Sequence, residues 1–396
     1  MTSRHAGRHF LQIPGPSAVP DRILRAISAQ TLDHRGPDFA AVGNAALDGM
    51  KTIFKTEAGQ VIIFPASGTG AWEAAVINTL QEGDRVLMYE TGHFSMLWMK
   101  MAKRLGLNPE FIEGDWRADP EAIAKRLRED KEHEIKAVCV VHNETSTGSV
   151  SPIADVRSAI DATGHPALLM VDSISGLASV DFRFDEWGVD VCVSGSQKGL
   201  MLPPGISFNC VGPRAMDVSR KGGMRRSYWD WQDMIGPNET GYFPYTPATN
   251  MLYGLNEAVA MLHEEGLDNV FARHARHGAA TRAAVRAWGL EVLCAQQGQE
   301  SGVLTAVLMP EGHSADAFRA TVLKNFDISL GNGLSKVADR VFRIGHLGDF
   351  NDAMLMGTLS GSERGLEKAG VPHEKSGTAA AMEVLKEEYT HSLAAE

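Results

Sequence analysis

The sequence predicts an α/β fold: a large domain with a mostly parallel sheet covered by helices, followed by a smaller C-terminal α/β domain. Three observations predict it. Short apolar, β-branched runs alternate with helix-like segments through the first half of the chain. Those runs are almost continuously apolar rather than alternating, as strands buried on both faces are. The chain has 396 residues and 44% hydrophobic composition, ample for more than one core.

The elements follow in order. "VIIF" at 61–64 reads as a strand, then a turn, then the helix-like "AWEAAVINTL". "RVLMY" at 85–89 leads into "SMLWMKMAKRLG". "KAVCVV" at 136–141 leads through a polar loop to "IADVRSAIDATG". Two more strands follow, "ALLMVDS" at 167–173 and "VDVCVSG" at 189–195. Residues 219–248 break the rhythm: they are rich in Gly, Pro and aromatics and have no clear period, so they read as a long ordered loop. From about residue 250 the pattern is helical, and strands are expected near 303–308, 327–330 and 340–344. The stretch 374–394 reads as a surface helix. The expected division is an N-terminal arm at 1–20, a large domain at 21–266 and a small domain at 267–396.

Composition excludes several classes. Net charge is -11 with no basic tract, so nucleic acid is not an expected partner. No apolar run approaches the ~18 residues that a membrane helix needs. The opening "MTSRHAGRHF" has no apolar signal core, and "SLAAE" at the end is not a peroxisomal signal. The four cysteines, Cys139, Cys192, Cys210 and Cys294, lie in or at the edge of apolar runs, with no C-x-x-C pair. They read as reduced core thiols of a cytoplasmic protein.

Ligands of open α/β sheets sit at the carboxyl ends of the strands. The residues that follow each predicted strand therefore carry the functional reading. After "VIIF" comes Ser67-Gly68-Thr69-Gly70 and a helix, a turn suited to an anion at a helix N-terminus. It is neither G-x-G-x-x-G nor a Walker loop, and taken alone it is equally an ordinary capped turn. After "KAVCVV" comes "HNETSTG", with Asn143, Glu144 and Thr145; its plainer reading is a side-chain-stabilised turn. Asp172 ends "LLMVD", where a carboxylate is costly without a positive or hydrogen-bonding partner. Its plainer reading is a helix cap, and a metal would need further ligands nearby.

The fourth strand end is "VCVSGSQKGLMLPPG", which places Lys198 at the edge of a buried run. A lone lysine there is more often a snorkelling surface group. A buried ammonium is expensive, and a lysine escapes that cost by forming a Schiff base with an aldehyde. Lys198 lies 26 residues after Asp172, one crossover further along the sheet. An aspartate for a pyridinium nitrogen and a Schiff-base lysine are the two protein groups that a pyridoxal phosphate site most needs. The turn at 67–70 would then take the phosphate.

With those residues in hand, the chain resembles the fold-type-I, pyridoxal-phosphate-dependent aminotransferases of class V, in their serine–glyoxylate and alanine–glyoxylate branch. The resemblance runs from "IPGPSAVP" through "DHRGPDF", "SGTGAWE", "HNETSTG", "VDSISG" and "SGSQKGLMLPPG" to "VFRIGHLG". It implies a sheet of the seven-stranded type. It implies that Lys198 carries the cofactor and that Asp172 meets the pyridine nitrogen. Ser67, Gly68 and Thr69 would hold the phosphate with Gln197, Thr145 would bond near the ring hydroxyl, and Phe94 would stack on the ring. Arg343 would clamp the substrate carboxylate, for which an arginine fork is suited. "PGP" at 14–16 and "DHR" at 33–35, with Pro16, His34 and Arg35, lie where the family closes over the substrate. Tyr245 and Thr246 would reach the phosphate of the neighbouring subunit, implying a homodimer with shared sites, or a tetramer. One departure stands out. The family often has tyrosine three places before that threonine, and here the place holds Phe243, with Tyr242 or Tyr245 as substitutes.

The implied reaction moves the amino group of a small amino acid to glyoxylate. Lys198, freed from the cofactor, would act as general base and then acid, and two half-reactions on one carrier imply ping-pong kinetics. Serine is the expected donor, giving hydroxypyruvate and glycine. Alanine and aspartate are the alternatives, and a dicarboxylate would need a second cation such as Arg35, Arg225 or Arg226. A cysteine desulfurase-like lyase would need a reactive cysteine on a mobile loop, which the apolar settings of the four cysteines disfavour. A dehydrogenase would need a G-x-G-x-x-G that is missing, and a non-catalytic relative should have lost Lys198, Asp172 or Arg343.

Overall fold

The computed structural model describes residues 6–294, 296 and 298–386. Its largest sheet has seven strands, in the order Gln60–Phe64, Ser207–Val211, Val191–Gly195, Leu168–Asp172, Ile135–Val141, Arg85–Tyr89 and Asn108–Ile112. The last five in that order run parallel to one another; Ser207–Val211 is antiparallel to the strands on either side of it.

The apolar runs become strands because both faces are covered. Ile63, Leu87, Val138, Val140, Leu169, Val171 and Cys192 point into one core. Their alternates Ile62, Phe64, Val86, Met88, Ala137, Cys139, Met170, Val191 and Val193 point into the other. The period of two is intact, but both phases are apolar, which is the mark of a strand buried on two sides. Helix Gly68–Thr79 lies on the strands Val191–Gly195 and Ser207–Val211. Its run of Ala71, Ala74 and Ala75, all buried, lets it settle close to the sheet.

A second sheet has five strands, ordered Phe10–Gln12, Ile328–Asn332, Val341–Gly345, Leu304–Leu308 and Glu291–Val292. The expected strands near 303–308, 327–330 and 340–344 are present within two residues. Phe10–Gln12, which sequence reading left inside the arm, pairs in parallel with Ile328–Leu330 and forms an edge of this sheet. The final described helix, Gly377–Leu385, packs on Leu267–Ala287; residues 387–394 of the expected surface helix lie outside the described residues.

The expected loop at 219–248 is not wholly irregular. It contains the helix Trp231–Asn238, whose first turn is capped by the Asp230 carboxylate accepting from Gln232 N. Gly236 and Pro237 near its end hide the helical period in the sequence. All four cysteines are buried and free. Cys192 and Cys210 are directly opposed on antiparallel strands without a bond between them.

Candidate active site

The carboxyl ends of adjacent strands bring the candidate residues together. Leu168–Asp172 lies between Val191–Gly195 and Ile135–Val141 in the sheet. Asp172 therefore sits between the chain ends that lead to Lys198 and Thr145. A cavity of about 240 Å³ opens there, lined by Pro16, Ser67, Gly68, Thr69, Phe94, Thr145, Asp172, Gln197 and Lys198 among others. Nine of the fourteen expected site residues thus share one cavity. Its volume is below the ~300–1,000 Å³ of typical ligand pockets, room for one ring and a phosphate rather than a dinucleotide.

Asp172 is buried at 3% exposure. Its Oδ2 accepts the indole N–H of Trp72 at 3.0 Å and its Oδ1 accepts Ile174 N at 2.8 Å. Burial pushes the carboxyl up to about 7, opposed by those two hydrogen bonds and by Lys198. The carboxylate is thus held in place but short of positive charge. Lys198 is buried too, and its Nζ donates to the Pro14 carbonyl at 2.5 Å. Burial brings its amine down to about 8, with Arg343 adding to the shift and Asp172 and Glu144 opposing it. An amine so lowered reaches its neutral, nucleophilic form near neutral pH.

The "HNETSTG" stretch is more than a turn. Asn143–Glu144 and Ser149–Val150 pair as a short buried hairpin. Glu144 has 0% exposure and accepts from Ser146 Oγ at 2.6 Å, Ser146 N at 3.0 Å, Thr91 Oγ1 at 3.2 Å and Phe94 N at 3.2 Å. It thereby pins the first turn of helix His93–Arg104, which presents Phe94 to the cavity. Next to it, Thr145 Oγ1 donates to Ser175 Oγ at 3.2 Å, and the Thr145 carbonyl accepts Arg343 Nη1 at 2.6 Å. Arg343 Nε donates to the Asn332 carbonyl at 2.7 Å. Arg343 does not line the cavity; it abuts it through Thr145, with burial drawing its guanidinium down to about 10.

Four expected residues lie elsewhere in the chain. Thr246 Oγ1 and His34 Nε2 approach at 3.5 Å, and Arg35 beside them is exposed. Tyr245 stacks on Tyr228 with centroids 4.7 Å apart and donates to the Tyr228 carbonyl at 2.7 Å. None of the four lines the cavity. Phe243 is turned inward, edge-on to Phe39 at 6.2 Å, and Tyr242 donates to the Gly36 carbonyl at 3.4 Å. Of the arginines considered for a second carboxylate, Arg226 is committed to the carbonyls of Gly222, Met224 and Ser219 and to Asp230. Arg225 is exposed.

Sequence reading missed Trp72, Ser175 and the contact of the Pro14 carbonyl with Lys198. Trp72 had a signal: a tryptophan inside a helix destined for the core needs an acceptor for its N–H.

The cavity fits pyridoxal phosphate. Ser67 precedes helix Gly68–Thr79 without using its side chain as a cap, so its hydroxyl and the free N–H groups of the first turn remain for an anion. A Cβ on Gly68 would lie 2.4 Å from Ile174 Cδ1, so a side chain there would have to displace Ile174. The Oε1 of Gln197 is buried with no hydrogen-bond partner. Asp172 presents a fixed carboxylate to the cavity, and Lys198 supplies an amine for an aldehyde.

Comparison with known proteins agrees with this geometry. The family model for aminotransferase class-V matches residues 9–345. The serine–glyoxylate aminotransferase of Methylorubrum extorquens is 48% identical over 393 residues, covering 97% of this chain and 98% of that protein. The L-aspartate–glyoxylate aminotransferase of Paracoccus denitrificans is 43% identical over 374 residues, 94% of each. Among solved structures, pyridoxamine–pyruvate aminotransferase from Mesorhizobium loti superposes with a TM-score of 0.90 at 26% identity, covering 97% of this chain and 98% of that one.

Proposed function

This chain belongs to the class-V aminotransferases, pyridoxal-phosphate-dependent enzymes, and from that premise we propose that it transfers the amino group of L-serine to glyoxylate. The observation that carries the reading is the burial of Lys198 and Asp172 on neighbouring strand ends of one cavity, with Arg343 against its wall.

When bound, pyridoxal phosphate supplies an electron sink for the carbanion formed at the substrate Cα. The chain's residues do the rest. Lys198 tethers the cofactor and, with its amine free, takes the Cα proton. Asp172, fixed by Trp72 and Ile174 N, offers its carboxylate to the pyridine nitrogen. Ser67, Gly68, Thr69 and Gln197 take the phosphate, Thr145 the ring hydroxyl, and Phe94 one ring face. Arg343 spends Nε and one Nη1 hydrogen on carbonyls, which leaves its Nη2 edge for the substrate carboxylate. Pro16 closes over the substrate at the cavity wall, and His34 and Arg35, which lie off this cavity beside Thr246, would do so at a neighbouring subunit's site.

Serine is favoured because the cavity offers no second countercharge: among the lining residues Lys198 is the sole cation, and Arg226 is committed elsewhere. Aspartate is the second reading, favoured by the relative from Paracoccus and by the exposed Arg35. Tyr245 and Thr246, lying off their own cavity, support a homodimer in which they serve the neighbouring site. We assign residues 1–20 to the arm, 21–266 to the large domain and 267–396 to the small one. The four free thiols support a cytoplasmic setting; no helix among the described residues is long and apolar enough to cross a membrane.

The test is a single-turnover half-reaction. The holoenzyme is mixed separately with serine, alanine and aspartate, and the absorbance of the lysine-bound cofactor is followed. Fast bleaching with serine, restored by glyoxylate, is expected. Bleaching by aspartate alone reassigns the donor, and no bleaching with any of the three ends the transaminase reading.

A further inference from the structure

The segment between the edge strand Phe10–Gln12 and Ser17 passes directly over Lys198. Ser17, itself buried, grips two successive carbonyls: its N–H donates to Gln197 O and its Oγ to Lys198 O, both at 3.0 Å. Three residues earlier, the Pro14 carbonyl accepts Lys198 Nζ at 2.5 Å. Between them stands Gly15 at φ +97°, and a Cβ there would lie 2.3 Å from Lys198 Cδ and 2.5 Å from its Nζ. Glycine takes this positive φ without strain, and a side chain there would push the lysine off the Pro14 carbonyl. The other side of the turn rests on the strands that carry and flank Arg343. A Cβ on Gly345 would lie 2.2 Å from Ile13 O, and one on Gly331 2.7 Å from Pro14 Cδ. The turn is therefore registered at once on the backbone of the lysine and on the strand of the arginine.

We propose that Pro14 is a positioning residue for Lys198: its main-chain carbonyl holds the lysine amine whenever that amine is free, and the bare Gly15 lets it do so. The proposal rests on the reading of Lys198 as the cofactor-bearing lysine. A carbonyl accepts an N–H and leaves the nitrogen lone pair unused. A neutral amine held this way keeps its lone pair for a proton or an aldehyde. Once protonated, the amine makes a charge-assisted bond to the same carbonyl, which favours the ammonium. The other charged groups that act on this amine are Arg343, which opposes the ammonium, and Asp172 and Glu144, which favour it. Pro14 adds a direct hydrogen bond to their through-space effects.

The experiment has two stages. In the wild-type holoenzyme, borohydride reduction and peptide mapping should place the cofactor on Lys198; label elsewhere or none would sink the functional reading, whatever the turn does. In the cofactor-free protein, the Lys198 pKa is then measured by competitive acylation across pH, read by mass spectrometry of its peptide. Gly15→Ala should lower that pKa by about one unit through loss of the Pro14 acceptor. Ser17→Ala, which only loosens the turn, should lower it by less. Gly312→Ala is the control, since Gly312 also has positive φ (+83°) but nothing within 4 Å of an added Cβ, and it should leave Lys198 unmoved. If Gly15→Ala does not fold, Ser17→Ala decides. An unchanged Lys198 pKa in the folded variants, with the label on Lys198, would overturn the role of Pro14 and leave the functional reading standing.

Discussion

The indole N–H of Trp72 donates to the Asp172 carboxylate at 3.0 Å, joining the first turns of the helix after one strand to the end of another strand 100 residues away. The bond favours the charged form of a carboxyl that burial otherwise drives towards its neutral form. Trp72→Phe keeps most of the ring packing and removes the donor. A hydrogen bond to a charged group contributes about 1.5–3 kcal/mol, so the half-reaction with serine should slow about 10-fold or more and cofactor affinity should fall. Stopped-flow absorbance and cofactor titration measure both; an unchanged half-reaction would remove Trp72 from the site.

Asp172 also predicts how the cofactor-free protein responds to pH. Its folded-state carboxyl sits at about 7, above the 3.8 of an ordinary aspartate. The unfolded chain thus loses this proton first as pH rises, and the folded state is progressively penalised from about pH 4 to pH 7. A shift of about three units amounts to about 4 kcal/mol of stability lost across that window, present below it and absent above it. Asp172→Asn should flatten this dependence. Urea unfolding of both cofactor-free proteins at pH 5 and pH 8 gives the comparison, with the variant gaining on wild type at pH 8. Parallel pH profiles would place the titration elsewhere.

Arg343 should separate substrate binding from cofactor binding. Its Nε and Nη1 contacts fix the guanidinium plane against the Asn332 and Thr145 carbonyls, and a lysine reproduces neither that plane nor its fork. Arg343→Lys should raise KM for serine about 100-fold, the equivalent of one or two charge-assisted hydrogen bonds, while the cofactor absorbance stays as in wild type. Loss of colour instead would mean that Arg343 acts on the cofactor pocket through Thr145.

The contrast between Lys198 and Trp72 shows what a sequence makes legible. Lys198, Asp172 and the Ser67 turn each follow an apolar run that announces a strand, and the strand-end rule gathers them without a structure. Thr145 was gathered by the same rule, with its role left to resemblance, while Phe94, Arg343 and Thr246 are neutral by pattern alone and came only from family resemblance. Trp72, the five-fold hydrogen-bonded Glu144 carboxylate and the Pro14–Lys198 contact arise from packing between distant segments, 184 residues apart in the last case. No local period encodes such contacts. Ser207–Val211 was not read as a strand at all, and its apolar run would not have shown its antiparallel course, since a strand buried on both faces reads the same in either direction.

Thr246 offers the sharpest test of a shared site, because it lies with His34, off the cavity that holds Lys198 of its own subunit. If it serves the neighbouring subunit, a site draws Lys198 from one chain and Thr246 from the other. Lys198→Ala should abolish activity, and Thr246→Ala should weaken cofactor binding and slow turnover. When the two variants are refolded together, each mixed dimer has one site with both residues intact and one with neither. Random pairing would then restore about a quarter of the wild-type sites. If Thr246 serves its own subunit, the mixed dimer holds one site of each defective kind, and the activity of the mixture stays at the average of the two parents. Assaying the mixture before and after co-refolding distinguishes the two arrangements without any assumption about which donor the enzyme prefers.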